Sequence, residues 1–207
     1  VPTHELPPRA VDTMTRSQLA RHRRVTDAVI DLIGEMDPAS LQMRDVAERS
    51  GVSLATIYRY FSSKDHLLAA AVADWQARLT ERVLGEMSLG RTRLPAEATA
   101  EERVLRFAQR ELRAFQRQPN FGHLAVSLIA SSDPYASETI ARMQTSSRQA
   151  MHALMADLPP ETAETIQIAV QGVVLSSLIA WMTGRKAWPE ILADVERVTR
   201  LVFSALR

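Results

Sequence analysis

The chain of 207 residues contains no cysteine and only two lysines, Lys64 and Lys186. Without thiols it can form neither disulfides nor thiolate metal sites, which fits a reducing compartment, and the cytoplasm is the expected location. The five histidines, His4, His22, His66, His123 and His152, never fall at metal-ligand spacing with one another. There is no glycine-rich phosphate loop, and no serine sits in a nucleophile-elbow pattern. These absences leave no catalytic residue, metal or cofactor to expect. No segment alternates with the period of two that a strand requires, and there is no repeat or low-complexity tract. No uninterrupted apolar run reaches membrane-spanning length, so no membrane partner is expected. Residues 1–11 carry three prolines and nothing like the apolar core of a signal peptide. Charge of one sign is missing too: 25 Lys+Arg against 24 Asp+Glu leaves +1, far from the basic balance of a general nucleic-acid binder. Hydrophobic residues make up 46%, ample for a buried core.

Residues 41–68, LQMRDVAERSGVSLATIYRYFSSKDHLL, are the most informative segment. Val46 and Ala47 form an apolar patch amid Arg44, Asp45, Glu48 and Arg49. Gly51 can take the left-handed conformation that closes a helix, and Val52 then plugs the core. Ser53 is placed to cap a second helix over 54–60. Two short helices around a glycine turn form a helix-turn-helix, whose second helix lies in the DNA major groove. Thr56, Tyr58, Arg59 and Tyr60 supply hydroxyls and a guanidinium, groups that bond phosphates and base edges. Ala55 keeps the helix slim, and Ile57 and Phe61, four apart, anchor its other face. Ser62 or Ser63 starts the next helix, with Lys64 in its first turn, where a shared phosphate would explain a cation at a helix N-terminus. The bland alternative is an ordinary helical hairpin with two exposed tyrosines.

The Thr-x-Tyr-x-Tyr-Phe core at 56–61, followed by Ser-Lys and a Leu-Leu helix, resembles the DNA-binding signature of TetR-type transcriptional regulators. QMR at 42–44, YRYF at 58–61 and LIAWMTGR at 178–185 resemble the branch of that family that represses steroid catabolism. The resemblance implies an all-α protein of about nine helices: a three-helix head with the helix-turn-helix, and a helical body for ligand binding and dimerisation. By this likeness Arg44, Thr56, Tyr58, Tyr60 and Lys64 take DNA-contacting positions; Ser53, Leu54, Ala55 and Arg59 complete the expected interface. It also implies a homodimer on a palindromic double-stranded operator, released by a steroid-acid or acyl-thioester effector.

Along the chain, residues 1–15 read as a disordered tail, 16–63 as the DNA-binding domain, and 64–207 as connector, ligand-binding and dimerisation domain. Apolar three-four spacing predicts helices over 17–36, 64–86, 101–118, 121–130 and 135–158, then one from Glu161 and one after Trp188-Pro189. Gly85, Gly90 and Pro95 mark a loop between head and body. Arg16, Arg21, Arg23 and Arg24 cluster near the start, either as a basic arm beside DNA or as a solvated face. Val170, Val174, Ser177 and Trp181, with Val195, Val198 and Val202, form two stripes expected to pair between subunits, unless they merely pack on one body. Phe107, Phe115, Phe121, Met143 and Trp181, with Gln144 and Gln171 as polar groups, are the expected lining of an apolar effector pocket, though such residues serve equally as plain core. From another class of function, a helical adaptor or small-molecule carrier binding protein rather than DNA fits the same composition; steep weakening by salt distinguishes DNA binding from it.

Overall fold

The computed structural model describes residues 13–88 and 98–205, and among these it is helical without a strand. Nine α-helices follow in order: α1 (Arg16–Glu35), α2 (Met43–Ser50), α3 (Leu54–Tyr60), α4 (Lys64–Ser88), α5 (Ala100–Arg117), α6 (Pro119–Ile129), α7 (Pro134–Ala153), α8 (Pro160–Met182) and α9 (Trp188–Ser204). The all-α expectation holds. The expected tail lies outside the described residues up to 12; beyond it Met14 is buried, and Thr15 caps α1 with a capping box to Gln18. The expected loop positions Gly90 and Pro95 also lie outside the described residues. Gly85 does not end α4, which continues to Ser88, because one helical glycine costs only about 1 kcal/mol.

Two compact units emerge. The first comprises the chain up to Trp75 together with His123–Met143; the second comprises Gln76–Gly122 and Gln144–Arg207. In the first, α1, α2 and α3 pack on one another around Val25, Val29, Ile33, Leu41, Val46, Ile57, Phe61 and Leu67, all inaccessible to solvent. Thr26 donates to Asp74 at 2.6 Å, fixing α1 to the start of α4.

In the second unit α5, α8 and α9 pack together, with Val104, Leu112, Phe121, Val170, Ile191 and Val195 fully buried. Gln76 donates to Glu111 at 2.6 Å, and burial pushes the Glu111 carboxyl above its ordinary pKa against that bond. Pro160 occupies the first turn of α8, and Glu161 places a carboxylate there, both favoured at a helix start. Counting uninterrupted apolar residues understates α8. Its polar residues after Glu164 are all uncharged, and by length and composition, at a mean hydropathy of 1.6, it could cross a membrane; only 33% of that stretch is buried within the chain.

Candidate nucleic-acid interface

Backbone chemistry sets the angle between α2 and α3. Gly51 ends α2 at φ 64°, in the left-handed region that other residues enter at a cost. Ser53 stands at the N-cap of α3, its Oγ accepting from the Thr56 N–H at 3.3 Å and lying 2.8 Å from Thr56 Oγ1. Val52, Ile57 and Phe61 turn inward, so the orientation of α3 follows from three buried anchors and two caps.

What this leaves outward is a slim polar face. Ala55, Tyr58 and Arg59 are exposed, and Leu54 and Thr56 are half-exposed. Arg44, in the first turn of α2, is exposed as well, and among the described residues no carboxylate or carbonyl holds either Arg44 or Arg59. Arg49 contrasts with them: it grips Glu35 through two hydrogen bonds of 2.9 and 2.6 Å and is a strut between α1 and α2. Arg16, Arg23 and Arg24 lie exposed on α1, while Arg21 reaches Ser17 at 3.2 Å.

Two expected contact residues are placed otherwise than their sequence suggests. Tyr60 is only 5% exposed, its ring edge-on to His22 and Phe61. It lies three residues from Ile57 and shares the inward face, so the ring belongs to the core rather than to the outward surface. Lys64 is half-buried, and its Nζ donates to the Ala39 carbonyl at 3.1 Å, tying the α1–α2 connection to the start of α4. An ammonium has two further donors to offer.

Histidines entered the sequence reading only as absent metal ligands, which missed a cluster behind α3. His66 stacks on Tyr135 with ring centroids 5.5 Å apart and meets Phe61 edge-on; His22 lies 4.7 Å from Phe61. Burial lowers the pKa of both histidines, against the carboxylates nearby. The signal available was proximity in sequence to Ser62 and Ser63, which proves to be bonding.

Known proteins fit this geometry. Residues 25–71 match the model of the bacterial regulatory proteins of the tetR family, and residues 98–202 match the tetracyclin repressor-like C-terminal domain. The chain belongs to the TetR family. Its TetR-family relatives include the HTH-type transcriptional repressor KstR of Rhodococcus jostii, 30% identical over 92% of this chain and 86% of that protein. A TetR transcriptional regulator from Rhodococcus sp. RHA1 has a similar solved structure, with a TM-score of 0.70 and 27% identity over 92% of this chain and 99% of that one. The transcriptional regulator FadR of Bacillus subtilis, solved in complex with stearoyl-CoA, shares the fold at a TM-score of 0.63 and 17% identity, over 87% of this chain and 97% of its own. As a TetR-family member this protein is a DNA-binding transcriptional regulator and not an enzyme, and the adaptor alternative falls.

The expected effector and dimer residues distribute differently from the DNA-facing ones. Phe107, Phe115 and Phe121 are buried in the second unit, Gln171 accepts from Gln167 at 2.5 Å, and Trp181 is half-buried against Trp188. Gln144 is exposed, and Met143 belongs to the first unit. A groove of about 560 Å³ opens elsewhere, between Glu161, Thr165 and Ile166 of α8 and Leu201 and Val202 of α9, with the following Ala205 at its rim. Of the seven expected pocket residues, none lines this groove. Of the expected dimer stripe, Val170, Val174, Ser177 and Val195 are buried within the single chain. Trp181, Val198 and Val202 stay partly exposed. On α8 and α9 the large apolar residues left uncovered are Ile168, Leu175 and Leu201, Ile168 at 64% and Leu201 at 66% exposed.

Proposed function

We propose that this protein is a homodimeric cytoplasmic repressor that reads a palindromic operator through α3 and leaves it when a mostly apolar effector binds the body. The observation that carries the DNA contact is the outward face of Arg44, Ala55, Tyr58 and Arg59, held by Gly51, Ser53 and three buried anchors, with both guanidiniums unclaimed among the described residues. Arg44 suits bidentate reading of a guanine edge; Tyr58, Arg59 and Lys64 suit phosphates; Ser53, Leu54 and Thr56 flank the approach. Residues 16–63 form the reader, and 64–207 connect it to the effector and dimer functions. Repression is supported by the name of the relative KstR.

Dimerisation is supported by α8. A 23-residue helix of that hydropathy with a third of its apolar stretch covered needs a cover. A second copy of α8 and α9, meeting Ile168, Leu175 and Leu201, supplies it without a membrane. Two heads then face half-sites about one helical turn or a multiple apart. Selection of duplexes from a random library, followed by footprinting, tests this. A two-fold symmetric footprint is expected; a single asymmetric half-site, or a monomer at micromolar concentration, counts against it.

For the effector, an acyl-thioester or steroid-acid class is favoured by the stearoyl-CoA held by the structurally similar FadR and by an aromatic- and methionine-bearing body. Stearoyl-CoA and steroid acids should raise the melting temperature in proportion to the logarithm of their concentration and should dissociate the selected duplex. By linkage that duplex must weaken effector binding by the same factor. Stabilisation by small hydrophilic compounds alone would overturn the lipid-like class.

A further inference from the structure

The turn between α3 and α4 is closed by an imidazole. The Ser62 backbone N–H donates to His66 Nδ1 at 3.2 Å, and Ser62 Oγ lies 3.3 Å from the same nitrogen. The His66 N–H in turn donates to Ser63 Oγ at 2.9 Å, capping α4. A nitrogen that accepts from a backbone N–H carries no proton of its own, so this turn requires the neutral ring with its proton on Nε2. A second strand of chain fastens the same place. Ser131 donates to Asp65 at 2.7 Å, Ser63 helps hold the Asp133 carboxyl below its ordinary pKa, and Tyr135 stacks on the His66 ring. Asp133 itself accepts from the N–H groups of Tyr135 and Ala136 at 2.9 and 2.8 Å. Immediately before this knot lies α3, and immediately after Ser63 lies Lys64.

We infer that His66 is a proton-sensitive positioning residue of the DNA-binding head: neutral, it locks the α3–α4 turn against the 131–135 segment; protonated, it releases the lock and weakens operator binding. This rests on the DNA-binding function and adds a control to it. Protonation puts a hydrogen on Nδ1 facing the Ser62 N–H, so two donors confront each other and the backbone bond that closes the turn is lost, leaving Ser62 Oγ as the acceptor on offer. It also places a cation in the first turn of α4, where the helix dipole disfavours one. The groups around the ring act in both directions. Asp133 and, on α7, Glu138 favour the charged form; His22 on α1 and Arg142 on α7 oppose it; burial is the largest influence and lowers the pKa below 6.5. Asp65, adjacent in α4, is occupied by Ser131. With the folded pKa below the unfolded one, the stabilisation is complete above about pH 6.5 and is lost as pH falls through the folded value.

The test compares wild-type protein with His66→Asn and His66→Ala on a duplex that the wild type selects from a random library at pH 8. Asparagine keeps an acceptor near the Nδ1 position and does not titrate. Between pH 7.5 and 5.5 the wild type should lose about threefold or more in affinity relative to His66→Asn, within the limit of about tenfold per pH unit for one linked proton. His66→Ala should bind weakly at every pH, and His66→Asn should bind at pH 8 as the wild type does. Amide NMR provides an independent readout without DNA: the Ser62 N–H resonance should follow the His66 titration in the wild type and stay flat in His66→Asn. Parallel pH profiles for wild type and His66→Asn, or a Ser62 amide indifferent to His66, would overturn the proposal. Failure to select any duplex would instead strike at operator binding itself, and the Ser62 amide would still decide whether the lock exists.

Discussion

Tyr58→Ala should change unfolding free energy by no more than about 0.5 kcal/mol, the usual range for a surface side chain, while weakening binding to DNA. Tyr60→Ala, two residues on, should cost about 3–5 kcal/mol of stability, as for other buried aromatics. Urea melts and fluorescence anisotropy on the same preparations separate the two effects; equal stability losses would contradict the burial of one ring and not the other. Arg44→Ala should lose about 1–3 kcal/mol of discrimination at a single base pair, seen by comparing the selected duplex with its single-base variants. Lys64→Ala should weaken all duplexes alike and reduce the salt slope by about one phosphate contact. Identical losses on selected and random DNA for Arg44→Ala would remove it from base reading. The chemistry of this face was legible in the residues themselves, because hydroxyls, guanidiniums and a slim alanine have few other uses together. Its azimuth was less so. Tyr60 carries the same hydroxyl as Tyr58, and only its three-residue spacing from Ile57 puts it inside. The tie from Lys64 to the Ala39 carbonyl joins residues 25 positions apart, a distance no local pattern spans.

Helix ends respond to single atoms. Gly51→Ala should cost about 1–2 kcal/mol, the penalty of a side chain in the left-handed region, and Ser53→Ala about 1 kcal/mol through the lost cap; both can be read from the midpoint of chemical unfolding. Gly85→Ala should gain roughly 0.4–1 kcal/mol, since among the described residues a methyl there meets no atom within 4 Å. A loss at that position would show that α4 does not continue through it. Glu111→Gln keeps a hydrogen-bond partner for Gln76 and removes a carboxyl whose pKa burial has raised. Its folded form binds its proton more tightly than the unfolded one, so the native carboxyl loses stability as pH rises above its ordinary range. The glutamine variant should therefore exceed the parent by a margin that grows from pH 4 to pH 7. Helix number and order were legible because proline pairs, glycine and three-four spacing mark them locally. Ends were harder: α7 stops at Ala153 rather than at 158, where turns closed by the Leu154 and Met155 N–H groups take over. Apolar Leu154, Met155 and Leu158 continue the helical rhythm after the helix has ended.

At the scale of the whole molecule, α8 carries apolar residues on both its buried and its exposed sides. Periodicity could place α8 at an interface but could not say which side belonged to its own chain, and Val170, Val174 and Ser177 prove to be the inner one. Ile168→Glu with Leu175→Glu should therefore leave the fold intact and yield a monomer by sedimentation, with the symmetric footprint lost. Val170→Glu should instead unfold the second unit. Gly172 adds a finer test. Among the described residues nothing lies within 4 Å of a methyl at that position in the single chain, so Gly172→Ala should not destabilise a monomer and should weaken only self-association. A chain with so many arginines and two lysines has another consequence. The side-chain amines stand at two unlike places: Lys64, at the head of α4, and Lys186, paired with Asp194 beside the α8–α9 turn. An amine-directed acylating label therefore reports the reading head and the body separately, each from one peptide, and a duplex that shields the first while sparing the second maps its own footprint on the protein.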